Sequence, residues 1–261
     1  MNTSFGLKIN SDEECIVFSG PPPSLSGSLL MENGSTLPVK FDELPIIHKK
    51  SGGRRLGVEK LPLHVNLAPG ERRRKWIRVM VDEKTPPGEY ESEVMINGVG
   101  KKVKFNVLPS ISADVLPSRM SFVGCLPGAR HVAEALFINR GNIPLALPEG
   151  EIGGELTANA VCGSLTRVLR GKGDAGATAA LETFMADLKK EIASIPRISC
   201  EEAGRVVEPG ESVRVRLVFV VPEAPAAKKT YEGEFNIYNQ KLTYRIIAEV
   251  RTKPKKPDKE A

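Results

Sequence analysis

Between Ala68 and Pro109 the chain alternates apolar and polar residues in three successive runs. Ile77, Val79 and Val81 alternate with Trp76, Arg78 and Met80, the period-2 signature of a strand with one buried face. After the turn Pro86-Pro87-Gly88, Tyr90, Val94 and Ile96 share one face, while Glu89, Glu91, Glu93 and Met95 share the other. Asn97-Gly98 is a hairpin signal, because both central residues of a type I′ turn need positive φ. Val103, Phe105 and Val107 then face inward, opposite Lys102 and Lys104. Glu89, Glu91 and Glu93 are expected across from those lysines as cross-strand ion pairs.

The same pattern recurs from Glu208 to Val250. Pro209-Gly210-Glu211 repeats Pro69-Gly70-Glu71, and Leu217, Phe219 and Val221 take the places of Ile77, Val79 and Val81. Tyr231, Phe235 and Ile237 answer Tyr90, Val94 and Ile96, and Tyr244 and Ile246 answer Val103 and Phe105. Upstream, Leu30–Phe41 aligns with Leu136–Leu147, Pro38 falling on Pro144. The offset grows from 106 residues there to 140 at Pro69 and Pro209, so the second copy carries 34 additional residues before Val206. Two modules follow, 1–109 and 110–250, joined near Leu108-Pro109-Ser110, with a tail over 251–261.

A strand ending at Asn33-Gly34 or Asn139-Arg140-Gly141-Asn142, a hydrophobic-Pro-hydrophobic step, Pro-Gly-Glu, a long alternating strand, Gly88-Glu89-Tyr90 and a closing hairpin resemble immunoglobulin-like modules of the fibronectin, Hydin and major-sperm-protein type. Tyr90 and Tyr231 resemble the tyrosine corner of such sandwiches. The resemblance implies an all-β chain of two immunoglobulin-like β-sandwich domains in tandem, the second with an α-helical insertion. It specifies fold and leaves function open, since the architecture hosts many unrelated roles.

The insertion, about 149–196, is read as one short helix in LTANAVCGSLTRVLR and a second over 178–194. The second sets Leu181, Phe184, Met185, Leu188 and Ile192 on one stripe, opposite Glu182, Lys189, Lys190 and Glu191. That stripe is expected to pack on its own sandwich; docking another protein is the alternative. The tail RTKPKKPDKEA is Lys- and Pro-rich and reads as a disordered basic segment.

At 261 residues the chain has room for two cores, and 24 Gly with 20 Pro suit many short strands and turns. No run of about 18 apolar residues is present, so no membrane span is expected. No signal peptide is visible in MNTSFGLKINSDEECIVF, so the reading is cytoplasmic; an exported protein lacking its signal is the alternative. Cys15, Cys125, Cys162 and Cys200 form no CxxC, so free thiols rather than a zinc site are expected, with a Cys162–Cys200 bridge the alternative after export. The histidines His48, His64 and His131 fit no nucleophile, HExxH or GxSxG pattern, and Gly171-Lys172-Gly173 lacks phosphate-loop spacing. No catalytic residue, metal or cofactor is expected.

Binding residues are a different matter. Arg74, Trp76, Arg78 and Met80 share the outer face of one strand, a residue mix found at interface hot spots. The leading expectation is a non-catalytic interaction or scaffold protein, an accessory subunit of a larger assembly, with self-association left open. Lys49, Lys50, Arg54 and Arg55 in the loop His48–Arg55 offer a polyanion or nucleic-acid contact, the second expectation, against a solvated hairpin tip. A carbohydrate-binding module is third, disfavoured by a single Trp and 5% aromatic residues.

Overall fold

The computed structural model describes residues 6–9, 14–47, 56–152, 154–155, 158–170, 177–193, 195–223 and 230–248. The chain divides into two compact units, Met1–Ile111 with Arg140–Pro144, and Ser112–Asn139 with Leu145–Ala261.

The first unit contains β1 (Leu7–Ile9), β2 (Cys15–Gly20), β3 (Ser24–Asn33), β4 (Val39–Ile47), β5 (Lys60–Leu67), β6 (Arg72–Met80), β7 (Gly88–Ile96) and β8 (Val99–Val107). One layer is β1-β3-β6, antiparallel throughout. The other joins β2 and β8 in parallel, then β8, β7, β4 and β5 antiparallel. This is an immunoglobulin-like sandwich. The inward residues of both layers form its core, with Phe18 stacked on Phe105 at 5.6 Å. Tyr90 donates its hydroxyl to the Pro86 carbonyl at 2.7 Å, closing a tyrosine corner. At the hairpin tip Asn97 and Gly98 have φ of 52° and 79°, as a type I′ turn requires. Glu91 lies across from Lys104 and Glu93 from Lys102.

β2 also touches the first layer at Ser19↔Ser26, which curls the strands into one continuous sheet. Gly27 makes this crossing possible. A Cβ there would lie 2.4 Å from the Val17 carbonyl oxygen and 2.7 Å from the Phe18 ring.

The second unit contains β9 (Ala113–Leu116), β10 (Arg119–Cys125), β11 (Arg130–Asn139), β12 (Leu145–Ala146), β13 (Glu151–Ile152), β14 (Gly154–Glu155), α1 (Ala158–Arg170), α2 (Ala177–Ala193), β15 (Arg197–Cys200), β16 (Val206–Val207), β17 (Ser212–Val220), β18 (Thr230–Ile237) and β19 (Gln240–Ala248). One layer runs β13-β15-β17-β11-β9 and the other β10-β19-β18-β14, β10 and β19 being parallel. Its core is more aromatic: Phe219 lies 5.0 Å from Phe122, 5.8 Å from Phe235 and 6.0 Å from Tyr244.

The two units share their internal register. Tyr90 sits opposite Phe105 and Tyr231 opposite Ile246; Ser92 sits opposite Val103 and Gly233 opposite Tyr244. Fully buried Asn33 and Asn139 play one role twice. Each donates its backbone N–H to a turn glutamate carbonyl, Glu71 or Glu211, at 3.0 Å, and accepts from Gly70 or Gly210 at 2.8 Å. The Asn33 amide donates to the Leu67 carbonyl at 3.1 Å, and the Asn139 amide to that of Val207 at 2.9 Å. In each turn the glutamate carboxylate accepts a backbone N–H three residues back, from Ala68 or Glu208.

The insertion lies between β12 and β16. Its helices pack on each other, and Arg167 approaches Asp187 at 3.9 Å.

Candidate functional site

The face around Trp76 starts from the alternation of β6. Ile77 and Val79 are buried, which turns Arg72, Arg74, Trp76, Arg78 and Met80 outward. Trp76 is 74% exposed and Met80 65%. Their neighbours across the ladder on β3 are small: Ser28 opposite Trp76, Ser26 opposite Arg78 and Ser24 opposite Met80. The indole therefore rises from a low surface instead of lying against bulky side chains. Among the described residues no acidic group pairs with Arg74 or Arg78; Arg73, on the other face, hydrogen-bonds Glu71. The Glu71 carboxyl is held below the usual carboxylate range, first by the Ala68 backbone N–H and then by Arg73.

Backbone parity adds a second property to these residues. β6 bonds to β3 through odd-numbered positions, as the flanking bonds Asn33 N–H to Glu71 O and Val81 N–H to Pro23 O show. Even-numbered residues then point their N–H and C=O groups to the opposite edge. On that side stands β5, which forms its ladder with β4. No backbone bond joins β5 to β6 among the described residues. What bridges them is the Lys75 ammonium, donating to the carbonyls of Leu63 and, at 2.9 Å, His64. Beyond it opens a hollow of about 340 Å³, lined by Arg78 and Met80 on one side and Gly57, Val58, Glu59 and Pro62 on the other, with Asp42 also in its wall. Its rim carries Glu43, bound to Lys60 at 2.6 Å.

The corresponding edge in the second unit is filled. β17 repeats β6 with Arg214, Arg216, Val218 and Val220 at the positions of Arg74, Trp76, Arg78 and Met80. There β15 pairs along it, Cys200 opposite Leu217 and Ser199 opposite Val218. The chain continues as Glu201, whose N–H donates to the Arg216 carbonyl at 3.0 Å. The Glu202 carboxylate accepts the Arg216 backbone N–H at 2.7 Å and its guanidinium at 3.2 Å. Glu201 lies 3.0 Å from the same guanidinium. Burial pushes the Glu202 carboxyl upward, but the Arg216 N–H and guanidinium outweigh it, so it titrates below the usual range.

On α2, Leu181, Met185 and Ile192 are exposed, while Phe184 and Leu188 are half-buried. The element paired with α2 is α1, whose Val168 is buried and whose Leu165 and Leu169 are exposed. The expectation of a stripe packed on the sandwich is corrected accordingly: α2 meets its neighbour helix, and much of its apolar stripe stays in solvent. Lys49, Lys50, Arg54 and Arg55 fall outside the described residues, as does the tail. The four cysteines are free thiols, Cys125 and Cys200 buried and Cys162 exposed, so the Cys162–Cys200 bridge is not formed. Burial raises the pKa of Cys125 and Cys200. No cluster of three metal-ligating side chains occurs among the described residues. No described helix is long and apolar enough to cross a membrane.

No protein family and no curated protein matches the sequence. Solved structures similar to the chain include a protein of unknown function from Porphyromonas gingivalis W83, at 15% identity and TM-score 0.28, covering 94% of this chain and 99% of that one. The titin immunoglobulin tandem A164-A165 is similar at 10% identity and TM-score 0.26, covering 95% and 98%. The Escherichia coli chaperone DraB is similar at 12% identity and TM-score 0.24, covering 94% and 98%.

Proposed function

We propose that this chain is a non-catalytic protein-interaction module that meets its partner through the outer face of β6. The observation carrying the reading is Trp76, 74% exposed between two arginines that lack acidic partners among the described residues. A large aromatic ring left in water, with Arg beside it, is the composition of an interface centre, where its burial supplies much of the affinity. The same strand position in the second unit is Arg216, engaged by its own chain.

The test is retention of the native partner by the tagged full chain and by its Trp76→Ala variant. Wild type is expected to co-purify in an assembly larger than one chain by light scattering. Trp76→Ala should lose that assembly while keeping an unchanged melting temperature, because the side chain lies outside the core. Equal retention by both proteins, or a wild-type monomer with no partner, overturns the reading.

A further inference from the structure

We infer that the partner binds β6 by strand addition, as an extended protein segment placing a carboxylate opposite Trp76. The inference rests on the reading of β6 as the contact face and specifies what occupies it.

The second unit supplies the template. Its β17 receives β15 along the edge that even-numbered residues present, and the acidic pair Glu201-Glu202 follows where the ladder reaches Arg216. Four contacts define that end: Glu201 N–H to Arg216 O, Arg216 N–H to the Glu202 carboxylate, and the guanidinium to each of the two acids. In the first unit β5 stays laddered to β4, as its counterpart β16 stays with β12. The residues that correspond to β15 by the offset of 140, 57–60, line the hollow beside Arg78 and Met80 without a ladder to β6. At Trp76 and Arg78 the N–H and C=O groups of β6 thus have no backbone partner among the described residues, and such groups template an added strand. Beyond the Lys75 bridge, the hollow beside Arg78 and Met80 gives an incoming backbone access.

Charge selects the occupant. A residue opposite Trp76 on an added strand is diagonal to both Arg74 and Arg78, within about 7–8 Å of each. A carboxylate there meets two guanidiniums that have no acidic partner among the described residues. A basic residue would add a third cation. The chain's own loop 48–55, with Lys49, Lys50, Arg54 and Arg55, has the wrong sign for this place.

Trp76 is the single tryptophan, so its fluorescence in the full chain reports on this edge alone. The probe is a synthetic peptide with the sequence of residues 196–204, serine replacing Cys200. Saturable binding is expected with Kd at or below about 1 mM. Amide exchange at Trp76 and Arg78 should slow on binding, and an Arg78→Glu protein should bind about tenfold more weakly. A peptide N-methylated at the Glu201 position cannot donate to β6 and should bind at least about tenfold more weakly. No saturable change at about 1 mM overturns strand addition, as does equal binding of the N-methylated peptide. A wild-type dimer whose Trp76 and Arg78 amides are already protected assigns the edge to a second copy and also overturns it. Should Trp76→Ala release the native partner while N-methylation changes nothing, the face reading stands and only strand addition falls.

Discussion

β6 and β17 are the same strand written twice, and they differ in what lies along one edge. Both bury alternate apolar residues, both pair with the strand that ends in a buried asparagine, and both begin after a Pro-Gly-Glu turn. In the second unit the preceding strand β16 stays with β12, as β5 stays with β4, but the earlier strand β15 pairs with β17 and satisfies its even-numbered backbone groups. In the first unit no described strand ladders to that edge of β6, and one lysine ammonium bridges it to β5. Lysine at an edge is a known guard against indiscriminate pairing. Here Lys75 stands at one end of the edge, and Trp76 and Arg78 have no backbone partner on that side among the described residues.

The largest contrast is expected in backbone exchange. In the free chain the amides of Trp76 and Arg78 should exchange at least about a hundredfold faster than those of Arg216 and Val218, measured by hydrogen exchange with mass spectrometry or NMR. Equal protection on the two strands would erase the contrast. The filled edge should also respond to acid. The Glu202 carboxyl has a lowered pKa in the folded chain, so its contact with the Arg216 N–H is fully present above the ordinary carboxylate value and lost as pH falls through the lowered one. Protection at Arg216 should fall over that window, while Ile77 and Val79, whose bonds involve no carboxylate, keep theirs.

Next in size is a glycine that only one unit needs. β2 crosses onto β3 over Gly27, whereas its counterpart on β11 is Ala133, and β10 makes no ladder with β11. Gly27→Ala should destabilise the first unit by about 3 kcal/mol, because the obstacle is the Val17 backbone. Ala133→Gly should cost no more than about 1 kcal/mol. Calorimetry of the two variants separates them; equal losses would deny that the crossing depends on this position.

The buried asparagines test what the units share. Asn33→Ala strands the Leu67 and Ala68 carbonyls, and Asn139→Ala strands that of Val207. Each should lower stability by about 2 kcal/mol in denaturant unfolding. A negligible loss in one unit alone would break the equivalence of the two turns.

Much of this was legible in the sequence, and for physical reasons. Alternation fixes which residues of a strand face inward, so the core positions of β6, β7 and β8 could be read from Ile77 to Val107. Asn97-Gly98 announced its hairpin because few other pairs tolerate two positive φ values. The matching hairpin in the second unit carried no such signal: it turns at Tyr238, with φ of 53°, followed by Asn239, whose side chain accepts the Ala113 N–H at 2.8 Å. A tertiary bond holds there what local preference would not. The outward position of Trp76 followed from parity, but the open edge beside it did not, because a strand's periodicity carries no record of which neighbour it chooses. Arg197–Cys200 ladders to β17, while no described strand ladders to the matching edge of β6, and nothing in either alternation marks the difference. The stripe on α2 has the same limit: Leu181, Phe184, Met185, Leu188 and Ile192 mark an apolar face without saying what meets it.

The smallest expected effect is a gain. His131 stands on β11 where the first unit has Leu25, a fully buried core residue on β3. Its ring is packed 5.6 Å from Phe122, and its Nε2 is buried with no hydrogen-bond partner among the described residues. A buried polar atom without a partner costs about 1–3 kcal/mol relative to an apolar group of similar shape. The strands of the two units keep the same register at this position, Leu25 opposite Val79 and His131 opposite Phe219, so the first unit shows a leucine accepted there against a β-sandwich core. His131→Leu should therefore stabilise the second unit by about 1 kcal/mol, seen as a higher melting temperature, with the transition of the first unit unchanged. The control is Leu25→His, which introduces the orphan atom into the first unit and should lower its stability. A fall in melting temperature for His131→Leu would mean that the imidazole holds an interaction the leucine cannot replace, and the correspondence between the two cores would end at that end of the strand.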